Sequence, residues 1–326
     1  MKAALKDRYG PPEDVRLEDV DRPVPSDDQL LVWVHAASVN RADLDRIYPK
    51  PGFVRLLTGL RRPRNRAMGL DVAGVVEAVG PSATRFRPGD RVFADLYLFG
   101  QGSFAEYVAA PEKAFQRISA GMTFEEAATL PHSAILALQG LRRRDGRSLK
   151  PGDKVLIDGA GGNVGPFAIQ IAKSMGADVT AVDRPEKLAF MRSLGADHVI
   201  DYTEVDYTAT GVRYDWILDT DSHHSILRCR RALRQNGTYV TLGGTSLRIL
   251  QALVLGSLIS LAGRRSMGLM LWWKPFHPDD VETLKRMVAD GTIKPVIDRR
   301  LPLSEVAEAL RYVDDGHARG KVVLVP

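Results

Sequence analysis

The feature that most constrains the fold is the glycine-rich segment of residues 159–165, which joins an apolar run to the start of a helix. The apolar run Val155–Ile157 is continuous, as is typical of a parallel strand covered on both faces, and Pro166 is tolerated in a first helical turn. Glycines let the backbone turn sharply and approach an anion, and the following helix directs N–H groups at phosphate. The segment therefore predicts a cradle for the pyrophosphate of a dinucleotide, with a purely structural turn as the alternative.

A second strand-like run, Val179–Val182, supports the dinucleotide interpretation. It ends at Asp183, about 20 residues beyond the central glycines, where a dinucleotide fold places the residue that contacts the ribose. Strand-like and helix-sized segments alternate through residue 242, which indicates βαβ repetition and a parallel sheet. The predicted strands are Val155–Asp158, Val179–Val182, His198–Ile200, Trp216–Asp219 and Thr238–Leu242.

The residues before and after this region predict a second, β-rich domain. Up to about residue 115, apolar and polar positions alternate between turn signals. At the start of the predicted Rossmann region, Thr123 and Glu126 have the spacing of a capping box and predict a helix start. Pro131 interrupts that helix before a second one at Ala134–Leu141. The tail predicts a helix at Pro278–Ala289, a strand near Pro295–Ile297, a helix at Ser304–Val313 and a strand at Gly320–Val325. We expect an α/β protein in which residues 1–120 and 276–326 form one domain and residues 121–275 form a Rossmann domain.

Composition excludes several classes of protein. With 326 residues, 44% hydrophobic and 26% charged, the chain is long enough for two cores. The net charge of +5 comes from basic residues mostly scattered among carboxylates, so nucleic-acid binding is not expected. The cluster Arg61–Arg66 is either a solvated loop or a contact for an anionic substrate or the cofactor phosphates. A single cysteine, Cys229, allows neither an intrachain disulfide nor a four-cysteine zinc site.

No targeting or membrane-spanning segment is expected. The first six residues lack the apolar core of a signal peptide, which with the single cysteine predicts a cytoplasmic protein. The apolar segment 249–263 is too short to span a bilayer and is interrupted by Gln251, Gly256, Ser257 and Ser260. We expect a buried or interface helix there, with the wall of a lipophilic pocket or a membrane-surface contact as alternatives.

Ordered motifs along the whole chain resemble one enzyme superfamily. They are Ala36–Asp43, Gly69–Val76, Arg87–Phe93, Gly102–Val108, the glycine turn, Ser193–Tyr202 and Gly316–Val323. The chain resembles the medium-chain dehydrogenase/reductase superfamily, and within it the zinc-free quinone oxidoreductase-like branch that includes relatives of reticulon-4-interacting protein. The resemblance implies a GroES-like catalytic domain split around a Rossmann domain, and a homodimer.

Within this resemblance, the sequence departs from the zinc-dependent members. At the places of their cysteine, histidine and cysteine ligands it has Asn40, Leu70 and His132, and leucine cannot bind a metal. Without a Lewis acid, reducing an already activated carbon is easier than oxidising an alcohol, because hydrogen-bond donors stabilise the developing oxyanion. The predicted reaction is therefore NAD(P)H-dependent reduction of a quinone, an enone or another activated double bond of a hydrophobic small molecule.

The resemblance also suggests catalytic residues. Asn40 is the first candidate for a polar contact to substrate or nicotinamide, although it could simply cap a helix beginning at Arg41. Asp43 and Asp71 could support that site or serve as structural caps. His132 could protonate an enolate or hydroquinone oxyanion near neutral pH, or be structural. Tyr48 is a further candidate proton donor.

The predicted cofactor is NAD(P)H, with NADP(H) favoured over NAD(H), which stays an alternative. Asp183 would accept a hydrogen bond from an NAD ribose and repel a 2′-phosphate, whereas Arg184, Lys187 and Tyr202 would favour that phosphate, as the branch does. The predicted cofactor-binding residues are Gly159, Gly161, Gly162, Asn163, Val164, Gly165, Asp183, Arg184, Lys187, Tyr202, Leu242 and Gly243.

Two other functions stay open. Leu136, Asn163 and the segment 219–225 depart from the family pattern around the cofactor, which would suit a non-catalytic nucleotide-binding sensor or scaffold. The apolar segment 249–263 would suit a tailoring reductase for a lipophilic natural product.

Overall fold

The computed structural model describes residues 1–49, 55, 59–143 and 145–326, and they form two compact units. The first unit comprises Met1–Ile135, Pro275–Gly291 and Pro295–Pro326, and the second comprises Leu136–Lys274 and Thr292–Lys294. Residues 121–135 thus belong to the first unit, whereas the sequence analysis places them in the Rossmann domain.

The secondary structure follows the predicted order. The strands are β1 (Lys2–Leu5), β2 (Arg16–Asp19), β3 (Gln29–Val39), β4 (Asp71–Val79), β5 (Arg91–Asp95), β6 (Tyr107–Pro111), β7 (Phe115–Arg117), β8 (Lys154–Asp158), β9 (Asp178–Asp183), β10 (His198–Asp201), β11 (Tyr214–Asp219), β12 (Leu233–Thr241), β13 (Ser266–Leu269), β14 (Ile297–Pro302) and β15 (Lys321–Val325). The α-helices are α1 (Arg41–Ile47), α2 (Phe124–Thr129), α3 (Ser133–Gly140), α4 (Gly165–Ser174), α5 (Leu188–Ser193), α6 (Ile226–Arg231), α7 (Ser246–Gln251), α8 (Ser257–Ala262), α9 (Pro278–Ala289) and α10 (Val306–Asp314). A π-helical turn, Ala252–Gly256, joins α7 to α8, and short 3₁₀ helices lie at Pro12–Asp14, Glu112–Ala114, Pro185–Lys187 and Leu303–Glu305.

The first unit is built on a mostly antiparallel sheet. Its strand order is β14-β15-β3-β4-β5-β7, with β6 also paired to β3, and β1 and β2 form a separate pair. Apolar side chains on alternate positions of β3, such as Val32 and Val34, are buried with Leu44 of α1 and Phe104. Helix α2 begins as predicted, because the Thr123 hydroxyl accepts the Glu126 N–H at 3.1 Å.

The second unit is a six-stranded parallel sheet in the order β10-β9-β8-β11-β12-β13, which is the Rossmann order. The predicted βαβ repetition is confirmed. Strand β13 was not predicted, because its sequence Ser266–Leu269 is short and follows two arginines. The strand predicted near Pro295–Ile297 instead runs over Ile297–Pro302, where its polar arginines are exposed at the sheet edge.

Within the part of the chain that the structure describes, no helix has both the length and the apolar character needed to cross a bilayer. The apolar segment 249–263 forms most of the helical stretch from α7 to α8.

Candidate functional site

A row of polar side chains crosses the sheet of the first unit because three strands are in register. Ser38 of β3 pairs with Asp71 of β4, and Asp71 pairs with Asp95 of β5. On the other side of β3, Val322 of β15 pairs with Val39, so the next position brings Lys321 opposite Asn40. All five polar side chains are buried. The sheet register therefore creates a polar cluster inside an otherwise apolar core.

Lys321 and Asp71 are the charged centre of this cluster. The Lys321 Nζ atom donates to Asn40 Oδ1, lies 3.1 Å from Ser133 Oγ and lies 3.4 Å from Asp71 Oδ2. Asp71 Oδ2 also accepts from Asn40 Nδ2 and from Ser38 Oγ, each at 2.9 Å. Burial lowers the pKa of Lys321, opposed by Asp71 and Asp43, and burial raises the pKa of Asp71, opposed by Lys321. Each ion is thus stabilised in the interior by the other.

Asn40 is held in this cluster and is almost completely buried. Its backbone occupies the N-cap position of α1, and its N–H donates to Asp43 Oδ2 at 2.8 Å. Its side-chain amide is turned to Lys321, Asp71 and Ser133. Asn40 therefore occupies the cap position of helix α1 with its backbone, as one of the two interpretations predicted, whereas its side chain forms hydrogen bonds within the polar cluster.

His132 joins the cluster at its other end. Its backbone N–H donates to Asp71 Oδ1 at 3.1 Å, and its side-chain Nδ1 lies 2.9 Å from Asp95 Oδ2. Burial alone would lower the pKa of His132, but the charge and hydrogen bond of Asp95, with Asp71, outweigh it and raise that pKa. The imidazole is therefore protonated more readily than an ordinary histidine near neutral pH.

The structure does not bring Tyr48 to this cluster. Tyr48 follows the last residue of helix α1, eight residues beyond Asn40, which places it about 12 Å from Asn40 along the helix axis. Burial raises the pKa of Tyr48, and the nearby Asp314 raises it further. Tyr48 thus lies at the opposite end of helix α1 from Asn40, and its assignment as a proton donor stays a prediction.

Asp43 is a buried carboxyl group of unusual basicity. Its Oδ2 accepts the Asn40 N–H, while its Oδ1 has no hydrogen-bond partner among the described residues. Burial raises the pKa of Asp43 to about 7, and Asp71 contributes in the same direction. Near neutral pH the cluster thus holds a carboxyl group that is partly protonated.

This shift predicts a pH dependence of stability. The folded-state pKa of Asp43 is raised from 3.8 to about 7, so its contribution to stability is complete below pH 3.8 and is lost as the pH rises through 7. In the wild type, this carboxyl group should lower the free energy of unfolding by up to about 4 kcal/mol between pH 4 and pH 7. We expect the variant Asp43→Asn to lack that decrease. Urea denaturation at several pH values measures it.

The control is Asp19→Asn, because Asp19 is exposed and its hydrogen bond to Lys2 lowers its pKa. That variant should keep the wild-type loss of stability between pH 4 and pH 7. An Asp43→Asn profile that parallels the wild-type profile would contradict the assigned pKa.

In the second unit, the glycine turn lies at the carboxyl edge of the parallel sheet. Gly159 has a φ of +75°, and a Cβ there would lie 2.1 Å from Thr220 Oγ1. A Cβ on Gly165 would lie 2.2 Å from the Ala160 carbonyl oxygen, whereas a Cβ on Gly162 would meet only the Gly159 carbonyl oxygen, at 3.4 Å. Gly159 and Gly165 are therefore required by the fold, and Gly162 faces space that the residues described by the structure do not fill.

Asp183 organises this turn rather than standing free beside it. Its Oδ2 accepts the Gly161 N–H and its Oδ1 accepts the Arg184 N–H, both at 2.8 Å. The Lys187 ammonium lies 3.7 Å from Oδ1. Arg184 Nε donates to the Tyr202 hydroxyl at 3.1 Å. These four predicted residues are thus brought together with the glycines.

The remaining predicted cofactor residues lie at the same edge. Asn163 and Val164 precede helix α4, whose first turn is not capped by a side chain. Leu242 and Gly243 follow β12, and the Leu242 N–H donates to the Asp219 carbonyl at 2.9 Å. An uncapped helix start above glycines is a setting in which backbone N–H groups can bind phosphate. The residues present therefore fit the pyrophosphate of a dinucleotide.

Carboxylates line the carboxyl edge of the parallel sheet, and the sequence analysis did not recognise them as a row. Sheet pairing places Asp201, Asp183, Asp158 and Asp219 at the ends of the neighbouring strands β10, β9, β8 and β11. Burial raises the pKa of Asp158 well above its ordinary value, with Asp219 and Asp183 adding to the effect. Burial also raises the pKa of Asp219 to about 6, although the Tyr239 hydroxyl donates to it at 2.7 Å. Proton uptake therefore limits the negative charge near the phosphate cradle.

Sequence reasoning missed Lys321, Asp95, Ser38 and Ser133 as members of the polar cluster. Lys321 carried a usable signal, because it is the only charged residue in the apolar strand Lys321–Val325. Unpaired lysine is almost never fully buried, so a lysine at a predicted core position indicates a buried partner. Asp95 and the two serines follow only from the register of the strands.

Comparison with known proteins assigns the family. Residues 26–120 match the family model described as alcohol dehydrogenase GroES-like domain, and residues 194–324 match the one described as zinc-binding dehydrogenase. The chain is 32% identical to the mitochondrial NAD(P)H oxidoreductase RTN4IP1 of Homo sapiens, over 99% of this chain and 89% of that protein. It is also 32% identical to the chloroplastic NADPH-dependent alkenal/one oxidoreductase of Arabidopsis thaliana, over 100% of this chain and 80% of that protein.

Among solved structures, the quinone oxidoreductase from Coxiella burnetii superposes with a TM-score of 0.87 at 28% identity, covering 100% of this chain and 99% of that one. The protein belongs to the medium-chain dehydrogenase/reductase superfamily, in its quinone oxidoreductase-like branch. The predicted fold class, with a GroES-like domain and a Rossmann domain, is confirmed. The predicted class of enzyme, an NAD(P)H-dependent oxidoreductase of the quinone oxidoreductase and enoyl reductase-like kind, is confirmed at the level of the family.

Proposed function

We propose that the protein reduces a quinone, an enone or another activated double bond of a hydrophobic small molecule with NAD(P)H and without a catalytic zinc. The relatives named above as a quinone oxidoreductase and an alkenal/one oxidoreductase support the substrate class. The observation that carries the proposal is the set of side chains at the family's metal position. Leu70 has no donor atom, His132 Nδ1 faces Asp95, and the Asn40 oxygen is bound by the Lys321 ammonium. A cation is already present there, so these residues do not fit a zinc ion.

The proposed cofactor site is the carboxyl edge of the parallel sheet. The turn from Gly159 to Gly165 and the first turn of α4 would hold the pyrophosphate. Arg184, Lys187 and Tyr202 would contact a 2′-phosphate, with Leu242 and Gly243 nearby. NADPH is favoured over NADH because both Asp183 oxygens accept backbone N–H groups and Lys187 offsets the charge of this carboxylate. When bound, the cofactor supplies a hydride.

The proposed proton donor is His132. Hydride arriving at carbon leaves negative charge on the substrate oxygen, and a protonated imidazole near neutral pH can neutralise that charge. Asp95 raises the pKa of His132 and so favours its protonated form, which makes Asp95 a positioning residue. Asn40 and Asp43 stabilise the same cluster through Lys321 and the start of α1. Tyr48 is not part of this proposal.

The test of this function begins with parallel fluorescence titrations with NADPH and NADH, followed by turnover assays with quinones, enals and bulky lipophilic enones. Cofactor oxidation with quinones or enals supports the proposal. Tight binding without turnover on any acceptor would favour the non-catalytic sensor or scaffold. Activity confined to bulky lipophilic acceptors would favour the tailoring reductase. The homodimer and the cytoplasmic location stay predictions, which size-exclusion chromatography and cell fractionation test.

The proton-donor assignment predicts a specific pH profile. Because protonated His132 is required, kcat should fall as the pH rises through the pKa of this histidine. The variant His132→Asn should lose about 10²–10⁴-fold in kcat at neutral pH. Asp95→Asn removes the group that raises the pKa of His132, so the decline in kcat should move to lower pH.

The matched control is His317→Asn, which changes an exposed histidine of the same unit and should leave kcat unchanged. Thermal denaturation shows whether each variant is folded. A wild-type pH profile in Asp95→Asn would exclude His132 as the proton donor.

A further inference from the structure

Arg46 is a half-buried cation without a counter-ion. It lies in the last turn of helix α1, and no carboxylate among the described residues forms an ion pair with it. Its guanidinium group lies over the Tyr97 ring, 5.5 Å from the ring centre. Arginine keeps its charge when it is partly removed from water, because its guanidinium is not deprotonated in proteins. An unpaired arginine in this position therefore attracts an anion.

Tyr97 connects Arg46 to the proposed proton donor. Its ring centre lies 5.9 Å from that of His132, and its backbone N–H donates to Asp95 Oδ1 at 2.8 Å. The other carboxylate oxygen of Asp95 lies 2.9 Å from His132 Nδ1, so one carboxylate fixes both residues. Because Tyr97 contacts both His132 and Arg46, a molecule that takes a proton from His132 can extend across the tyrosine to Arg46.

Gln101 holds the guanidinium group of Arg46 from a strained backbone. Gly100, Gln101 and Gly102 have consecutive φ angles of +94°, +64° and +110°. A positive φ is ordinary for glycine but unfavourable for glutamine, and it persists where the surrounding contacts require it. With its amide oriented to satisfy its neighbours, Gln101 Oε1 accepts from Arg46 Nε at 2.6 Å and from Nη2 at 2.8 Å. The Nη1 atom of Arg46 has no hydrogen-bond partner among the described residues.

A narrow recess opens beside Arg46 and Gln101. Its polar lining residues are Lys6, Tyr9, Arg46, Asn65 and Gln101, and no carboxylate of the described chain lines it. The Lys6 ammonium already donates to the Gly10 carbonyl oxygen at 2.8 Å, which leaves Arg46 as the cation available to a ligand. The recess has a volume of about 20 Å³, room for about one oxygen-sized group. It therefore fits an oxygen of a carboxylate better than a bulkier, tetrahedral phosphate.

We propose that Arg46 determines substrate specificity by binding a carboxylate on the acceptor, so that the acceptor is an enone or quinone with an acidic side chain. This inference rests on the proposed function, because it takes His132 as the proton donor. Reduction adds a hydride from the cofactor to carbon and a proton from His132 to oxygen, and the distant carboxylate is unchanged. Its charge-assisted hydrogen bond to Arg46 orients the acceptor. Gln101 is a positioning residue, because it acts through Arg46.

The test compares a vinyl ketone that carries a carboxylate on a pentamethylene chain with its methyl ester, at saturating NADPH. We expect the wild-type kcat/KM to be about 10- to 100-fold higher for the acid, as one charged hydrogen bond provides, with the difference mainly in KM. Arg46→Met should abolish this preference by lowering kcat/KM for the acid alone. Arg46→Lys keeps the charge but not the planar fork held by Gln101, so part of the preference should remain.

The matched control is Arg16→Met, which changes an exposed arginine of the same unit and should keep the wild-type preference for the acid. Gln101→Asn tests the positioning role. Asparagine tolerates a positive φ, so the loop should keep its shape, but the shorter side chain does not reach Arg46. The preference for the acid should fall by less than in Arg46→Met, and kcat for the ester should stay at the wild-type value.

Equal wild-type kcat/KM for the acid and the ester would overturn the proposal, as would equal losses for both in Arg46→Met. Weaker NADPH binding in Arg46→Met with an unchanged acid preference would assign Arg46 to the cofactor instead. If neither acceptor is reduced, the proposed function fails, and calorimetric titration with the saturated keto acid tests the site by itself. Binding that Arg46→Met abolishes supports the site, and absence of binding to the wild type overturns it. Thermal denaturation verifies that each variant is folded.

Discussion

Replacing Lys321 with methionine should lower the free energy of unfolding by about 3–5 kcal/mol, because it leaves a buried carboxylate without its cation. Lys321 and Asp71 are both fully buried, and the ammonium also donates to Asn40 and Ser133. Methionine fills a similar volume, so the loss comes from unpaired polar groups rather than from a cavity. Urea denaturation monitored by circular dichroism measures it.

Two further variants separate this effect from a general intolerance of substitution. In Lys321→Met/Asp71→Asn the buried negative charge is also removed, so part of the stability should return. Lys2→Met makes the same change at an exposed lysine, 48% accessible, that pairs with Asp19, and it should cost less than about 1 kcal/mol. Equal losses in Lys321→Met and Lys2→Met would mean that the buried pair is not a centre of stability.

How far the sequence predicts the fold depends on whether an element is stabilised by residues close together in the sequence. Parallel strands and helix starts leave local signals, so the glycine turn and the Thr123 capping box were identified from neighbouring residues. Helix α9 has the predicted bounds, Pro278–Ala289, because an amphipathic pattern follows a proline at its start. These elements depend on interactions within a few residues of each other.

The polar cluster could not be predicted in the same way. Lys321 and Asn40 are 281 positions apart in sequence, and only the register between β15 and β3 brings them together. Likewise, the side chain of Asn40 turns from its own helix to the cluster because buried partners are available there. The apolar run 249–263 has the composition of a buried or interface helix, and which of its side chains stay exposed follows from which residues pack on β13.

Gly162→Val should weaken NADPH binding by at least about 100-fold, which corresponds to nearly 3 kcal/mol, without unfolding the protein. A Cβ at this position meets only the Gly159 carbonyl oxygen, at an ordinary contact distance of 3.4 Å. The branched side chain would then occupy the space into which the pyrophosphate approaches the backbone. Gly162→Ala, with a single methyl group, should produce a smaller loss. Fluorescence titration measures affinity, and thermal denaturation verifies folding.

The matched comparison is Gly165→Ala, three residues along the same turn. A Cβ there would lie 2.2 Å from the Ala160 carbonyl oxygen, so the backbone itself must move and the melting temperature should fall. The two variants therefore separate a glycine needed for the fold from one needed for the ligand. If Gly162→Val binds NADPH as tightly as the wild type, the dinucleotide does not approach this turn, and the cofactor site must lie elsewhere on the protein.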